Sequence, residues 1–422
     1  MRRVAAPASG FGLLGAALAA AIVLGAAVNP AAAVEVERVA GPGGIEAWLV
    51  RDHTNPIIAI RFAFRGGAAL DPPAKGGLAN MVSGLLDEGA GALDSQGFQR
   101  RIEDLAIRLS FDARRDSFGG QMTTLSENRD AAFALLGLAL TAPRFDDEPV
   151  ERIRSQIITR LKRDAEDADT VARDKLSQLL FPDHAYGRPV AGTPESVARI
   201  TPTDLAAFAR ARFGRDNLVI GVVGDIRAEE LAVLLESTFA NLRAAAEAWT
   251  VPEAEPRASG ETVVVRKPFP QSAVAFAQPG LKREHPDFYA AYVMNYVLGG
   301  GGFTSRLYGE VREKRGLAYG VYSYLVTFEH AGLVSGGAGT ANARVAETVD
   351  VIRSEWRRMA ESGISAAELG DAKTYLTGSY PLRFSASGRI AAILVGIQLD
   401  GLGIDYIEKR NSLIEAVTLD DV

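Results

Sequence analysis

Apolar and polar positions along this chain switch between two periods. Ile57–Phe64 (IIAIRFAF) is an unbroken β-branched and aromatic run that stops at Arg65-Gly66-Gly67, the pattern of a strand closed by a turn. From Asp94, a capping-type residue, Phe98, Ile102 and Leu105 recur at helical spacing and predict an amphipathic helix. Thr201 followed by Pro202 opens another helix over Thr201–Phe213, and NLVIGVV (Asn217–Val223), closed by Gly224-Asp225, reads as a buried strand. The stretch GGLANMVSGLLDEG (Gly76–Gly89) also reads as a helix. In TSRLYGEVREKRG, Thr304 is the expected cap, Leu307 and Val311 share a face and Gly316 ends the helix; Ala318–Leu325 is then strand-like. On ideal alternation Tyr322 and Tyr324 point away from Tyr319, which leaves them as packing or groove residues.

The order of these elements repeats. FQRRIEDLAIRL (Phe98–Leu109), SFDARRDSFGGQMTTL and ENRDAAFALL in the first half correspond to LYGEVREKRGLAY (Leu307–Tyr319), GVYSYLVTFEHAGLVSGGAG and ANARVAETVDVI in the second. ITPTDL (Ile200–Leu205) is echoed by VTLDDV (Val417–Val422). The first copy continues through a helix and the NLVIGVV strand, so the second copy is expected to be about 20 to 25 residues short at its end. Between the copies, TVPEAEPRASGE (Thr250–Glu261) is Pro-, Glu- and Ala-rich and reads as a linker, residues 250–261, separating a domain over 34–249 from one over 262–422.

Composition narrows the function. The 422 residues are 47% hydrophobic and 23% charged, values of an ordinary globular protein, and the formal charge of −6 with no basic block gives no support to a nucleic-acid partner. With no cysteine, a disulfide framework, a thiolate metal site and a cysteine nucleophile are all excluded. Arg2 and Arg3, the apolar Phe11–Val28 and the small residues Ala31-Ala32-Ala33 form an export leader, with cleavage expected after Ala33. Losing its two arginines would take the charge from −6 to −8, and the chain is expected to be exported, periplasmic or otherwise, with no later membrane segment; the alternatives are a retained membrane anchor or a core helix.

Self-contained chemistry is scarce. His53, His184, His285 and His330 are scattered, without the i, i+3 or i, i+4 pairing that zinc ligation needs. Asp87-Glu88 and Asp146-Asp147-Glu148 read as a solvated loop and a helix start. The run Gly299–Gly302 before Phe303 lacks the Lys-Ser/Thr ending of a phosphate loop and reads as a turn or hinge.

Nearly the whole chain after the leader resembles the insulinase/pitrilysin family of zinc peptidases in its short, two-domain form. The resemblance rests on the RGG turn, on Gly77-Leu78-Ala79, and above all on SRLYGEVREKRGLAYGV. It implies an α+β fold of the processing-peptidase, LuxS-like type: two homologous α/β domains, each a mixed, mostly antiparallel sheet with helices on one face. Active members carry H-x-x-E-H directly after G-L-A, because two histidines at i and i+4 converge on one zinc while the glutamate activates its water. In this sequence those positions are Asn80, Ser83 and Gly84. The third ligand position, counted back from Glu166-Asp167-Ala168, falls at Arg160, between Thr159 and Leu161. The resemblance therefore implies no metal in this chain.

It also implies a role. An arginine and a tyrosine seven residues apart in the family's C-terminal segment reach the zinc site of the catalytic domain, and by motif they are Arg312 and Tyr319. The short form includes enzymes split between a zinc-bearing subunit and one bearing this pair. The chain resembles the second kind, which implies a homologous H-x-x-E-H partner holding the zinc, an extended peptide substrate and no activity alone. The alternative is a catalytically silent structural or peptide-binding subunit.

Overall fold

The computed structural model describes residues 34–422, and the export leader expected at residues 1–33 lies outside them. The first half runs β1 (Glu37–Ala40), β2 (Glu46–Arg51), β3 (Ile57–Arg65), α1 (Leu78–Ser83), α2 (Ser95–Asp104), β4 (Arg108–Ala113), β5 (Ser117–Leu125), α3 (Arg129–Thr141), α4 (Asp147–Asp164), α5 (Ala168–Leu180), α6 (Pro194–Ala198), α7 (Pro202–Arg212), β6 (Leu218–Gly224) and α8 (Ala228–Phe239). Its six strands lie in the order β1-β2-β6-β3-β5-β4, antiparallel except for the parallel β2–β6 pair. Alternation along β3 and β6 sends Ile58, Ile60, Phe62, Phe64, Ile220 and Val222 into one core with Phe98, Phe118, Phe133 and Phe239. The predicted caps are in place: Asp94 accepts the Gly97 N–H at 2.7 Å, and Thr201 and Asp204 cap α7 reciprocally.

The second half supplies β7 (Gln271–Pro279), α9 (Phe288–Asn295), β8 (Ala318–Thr327), β9 (Gly332–Ala341), α10 (Val345–Ser362), α11 (Ala366–Gly378), α12 (Ser387–Leu399) and α13 (Tyr406–Glu415). Its antiparallel sheet has the order β7-β9-β8, matching β3-β5-β4. Both sheets use one packing device. Gly120 lies opposite Phe62 and Gly336 opposite Phe276, and a Cβ on either glycine would come within 2.7 or 2.4 Å of the ring.

Each half lends a helix to the other's sheet. Ile220 and Val222 face the first core, so Gly221 between them faces the opposite side, where α12 packs; a Cβ there would lie 2.7 Å from Ala391 O. Arg65, on that same side of β3, donates to Leu399 O and Gln398 O, both at 2.8 Å. Reciprocally, α5 of the first half packs against β7. The helices belonging to the first half thus cover one face of its sheet, as expected, and on the second face α12 of the other half covers β3 and β6, while Ser110 of β4 and Gln121 of β5 stay exposed. Among the described residues no single helix is long and apolar enough to cross a membrane.

Thr250–Glu261 forms neither helix nor strand. It is tied down by Ala254 N–H to His330 O and Arg257 N–H to Leu180 O, both 2.9 Å.

Candidate functional site

After β3 the chain turns at Gly66, with φ +88°, and reaches α1 through a loop anchored on Asp71. This buried carboxylate accepts the N–H groups of Gly77 at 3.0 Å and Ala79 at 3.1 Å, two of the donors a helix start leaves open. Burial pushes the Asp71 carboxyl up to about 7, against the pull of those amides and of Arg188. Gly77 sits at φ +92°, and a Cβ there would lie 2.7 Å from Ala191 O, so the glycine is required twice over.

Helical structure does not extend across Gly76–Gly89. It covers only Leu78–Ser83, since Gly84 closes α1 and turns follow through Asp87. Met81 and Val82 are buried, which leaves Asn80, Ser83 and Gly84 on the partly exposed side. Across from them runs α4. Arg160 Nη2 lies 3.5 Å from Asn80 Oδ1, so the position counted as third ligand does meet the first. Ser83 Oγ donates back to Asn80 O at 2.8 Å, and a Cβ on Gly84 would press on Ile153 Cγ2 at 3.3 Å.

These groups do not fit zinc. A guanidinium stands where an anionic ligand is needed, the facing amide is a neutral, weak donor, and the hydroxyl is turned onto the backbone. Among the described residues no cluster of three or more His, Asp or Glu side chains could hold a metal ion.

Nor do the other titratable groups rebuild a site. Asp87 and Glu88 are not the solvated loop their sequence suggests: Glu88 is held by Arg152 at 3.2 and 2.6 Å, and burial pushes Asp87 up to about 6. Asp147 and Glu148 do open α4. The histidines are separately engaged, His53 with Asp225 at 2.7 Å, His285 accepting the Asp287 N–H at 3.1 Å and His330 beside Glu253 at 3.1 Å. His184 donates to Pro252 O and accepts the Tyr186 N–H, a loop-fixing role.

The second cluster is built by two departures from regular geometry. After a short α-helical start at Arg306 and Leu307, the chain from Tyr308 to Glu313 is a widened, π-type turn in which Lys314 N–H reaches Gly309 O, five residues back, rather than a continuous α-helix as expected. Its cap is Ser305 instead of Thr304, for Ser305 Oγ accepts the Tyr308 N–H at 3.4 Å while Thr304 lies in the preceding tight turn. Leu307 and Val311 are fully buried as predicted, and Gly316, at φ +57°, releases the chain into β8.

There β8 carries a bulge: Ala318 pairs with Thr340 and Gly320 with Gly339, leaving Tyr319 as the extra residue. The bulge breaks the alternation on which Tyr322 and Tyr324 were set apart, and Tyr319, Tyr322 and Tyr324 are all exposed, at 85%, 43% and 41%. Gly320, an isolated glycine in a strand pattern, was the available signal. Outside the ladder, the Tyr319 carbonyl accepts from Arg312 Nη1 at 2.8 Å. The guanidinium also stacks over the rings of Tyr319, at 4.6 Å, and Tyr308, at 5.0 Å. No carboxylate pairs with Arg312 among the described residues. Arg312 and Tyr319 thus form one preorganised unit with N–H donors and a phenol to offer, while no hydrogen bond joins them to Asn80, Ser83 or Arg160.

A protein of Helicobacter pylori called a non-peptidase homolog, YmxG, is 31% identical to this chain over 333 residues, 79% of this chain and 77% of that one. This chain belongs to the insulinase family. Two family models divide it: residues 47–194 match Insulinase (Peptidase family M16), and residues 199–376 match Peptidase M16 inactive domain. An uncharacterized zinc protease of Streptomyces coelicolor is 27% identical over 92% of this insulinase-family chain and 85% of its own length. Among solved structures, a peptidase M16 inactive domain from Pseudomonas fluorescens superposes with a TM-score of 0.86 at 26% identity, covering 92% of this chain and 93% of that one. A protease from Helicobacter pylori shares the fold at a TM-score of 0.81 and 17% identity, over 92% and 94% of the two chains.

Proposed function

We propose that this chain is the non-zinc subunit of an exported, heterodimeric insulinase-family peptidase. Its two homologous domains, 34–249 and 262–422, make half of a clamshell, and a homologous H-x-x-E-H subunit supplies the zinc and its activated water. Arg312 binds the substrate carbonyl with the N–H groups it does not spend on Tyr319 O. The Tyr319 hydroxyl donates to the oxyanion of the tetrahedral intermediate. Neither residue cleaves a peptide by itself, which fits the non-peptidase name of the Helicobacter pylori relative. The observation that carries the reading is the Arg312–Tyr319 unit itself: an exposed tyrosine on a bulge, with an arginine stacked on it, has no packing to account for it.

The test is peptide hydrolysis by this chain mixed with its H-x-x-E-H homologue, against each protein alone. Activity only in the mixture, lost in Arg312→Ala and Tyr319→Phe without loss of association, is the expected result. Full activity from the homologue alone would leave the alternative, a structural or peptide-binding subunit.

A further inference from the structure

The widened turn Tyr308–Glu313 leaves one backbone acceptor over. In an α-helix Glu310 O would take the Lys314 N–H, but that amide reaches back to Gly309 O. Arg315 fills the place. Its Nη1 donates to Glu310 O at 2.8 Å and to Glu310 Oε2 at 2.6 Å, so one guanidinium nitrogen holds the carbonyl and the carboxylate of a single residue. On an α-helix the facing neighbours lie three or four positions apart, so a clamp between residues five apart closes only on the widened turn. Lys314 Nζ takes the other carboxylate oxygen at 2.6 Å.

The same carboxylate is where the turn meets α10. The Glu310 side chain is only 14% exposed, and Arg358 of α10 places its Nη1 3.9 Å from Glu310 Oε1 and 3.3 Å from the buried Glu355 Oε1. Ahead of the turn, Arg306 is fixed on Glu368 at 2.7 and 2.8 Å. With its entry pinned at Arg306 and its width held at Glu310, the turn carries Arg312 to the point where Nη1 meets Tyr319 O at 2.8 Å. Narrowing it to α-helical pitch would swing residue 312 around the axis and draw the guanidinium off the two rings it stacks on.

We infer that Glu310 is the positioning residue of the Arg312–Tyr319 unit: through Arg315 and Lys314 it keeps the turn wide, and the wide turn sets the guanidinium on the tyrosine. No hydrogen bond joins its carboxylate to Arg312 or Tyr319 among the described residues, so it acts through the backbone and not on a substrate. Its effect on catalysis rests on the split-site reading above, whereas its effect on the geometry of the chain alone does not.

Two readouts test it. In NMR of the chain alone with isotope-labelled tyrosine rings, Tyr319→Phe assigns the Tyr319 resonance and Arg312→Ala gives its position once the stacked cation is gone. Glu310→Ala, which also favours a regular α-helix, and Arg315→Ala, which opens the clamp from the solvent side, are each expected to carry Tyr319 at least about half-way to that position while Tyr186 keeps its own. Glu310→Gln, which retains an acceptor for Arg315, is expected to restore most of the native shift. A Tyr319 resonance that stays in place in either alanine variant, or moves only together with Tyr186, overturns the inference. In the mixture with the H-x-x-E-H homologue, Glu310→Ala is expected to lower kcat/KM by about tenfold to a hundredfold, and by less than about twofold when Arg312→Ala is already present. Losses that simply add overturn it, since Glu310 would then act by a route other than Arg312. A wild-type mixture without activity would sink the split-site reading and leave the resonances to decide this one.

Discussion

The side chain of Arg160 reaches across from α4 to within 3.5 Å of the amide oxygen of Asn80, two positions 80 residues apart in sequence. A cation at that place repels a divalent ion, so restoring ligands on α1 alone is not enough. The triple variant Asn80→His, Ser83→Glu, Gly84→His is expected to bind no zinc at micromolar concentrations, and the quadruple variant that adds Arg160→Glu to bind one equivalent. Metal content after dialysis, read by elemental analysis, decides it; zinc uptake by the triple variant would show that Arg160 swings clear.

Tyr319 is exposed and its side chain supports no core, so Tyr319→Phe is expected to leave the unfolding midpoint of the chain alone unchanged. In the reconstituted peptidase the same variant is expected to lower kcat by about 10²–10³, the cost of one oxyanion donor. Arg312→Lys keeps the charge but loses the planar fork stacked on two rings, and should fall well short of wild-type kcat/KM. A kcat unaffected by either change would remove both residues from the reaction.

Asp71 gives the stability a pH slope. Burial holds its folded-state pKa at about 7, above the unfolded value of about 3.9, so folding takes up a proton between those limits. The stabilisation is complete below about pH 4 and is lost as pH rises through 7. Urea midpoints measured from pH 4 to 8 should show this component falling with pH in the wild type and flattened in Asp71→Asn. Equal slopes in the two proteins would mean that the amides of Gly77 and Ala79 already hold Asp71 ionised.

Gly77→Ala forces a side chain into φ +92° and against Ala191 O, and is expected to cost about 1–3 kcal/mol in urea unfolding. Gly309→Ala, where an added Cβ meets nothing within 4 Å, is the matched control, expected to be neutral or slightly stabilising.

Tyr186 ties the first half to the β8–β9 turn. Its hydroxyl donates to Asp116 at 2.6 Å and accepts the His330 N–H at 3.1 Å, while Asp116 also accepts the Glu329 N–H at 3.1 Å. Tyr186→Phe leaves the part-buried His330 N–H without its acceptor and should cost about 1–2 kcal/mol, with faster amide exchange at His330 as the local readout.

Much of the fold was legible because its signals are local. The run at Ile57–Phe64, the caps at Asp94 and Thr201 and the buried pair Leu307/Val311 depend only on neighbours in sequence. The motif comparison was also good enough to place Arg160 opposite Asn80. What escaped was set by contacts between distant segments or by backbone detail. The helix at Leu78 stops early at Gly84, the turn before Glu313 widens, and one bulged residue exposes Tyr319 together with Tyr322 and Tyr324. The exchange of α5 and α12 left no mark in either helix, since an apolar stripe does not say whose sheet it will cover.

That exchange sets a schedule for biosynthesis. When Gly224 leaves the ribosome the first sheet has all six of its strands, but one face stays bare until Ser387–Leu399 has been made. Through that interval the apolar strip of β3 and β6 that α12 covers, with Ala59, Ala63 and Val223, lies open to chaperones or aggregation, and a fragment cut at the linker would keep it open. The two repeats, each finishing its sheet with a helix of the other, are therefore expected to fold as one object.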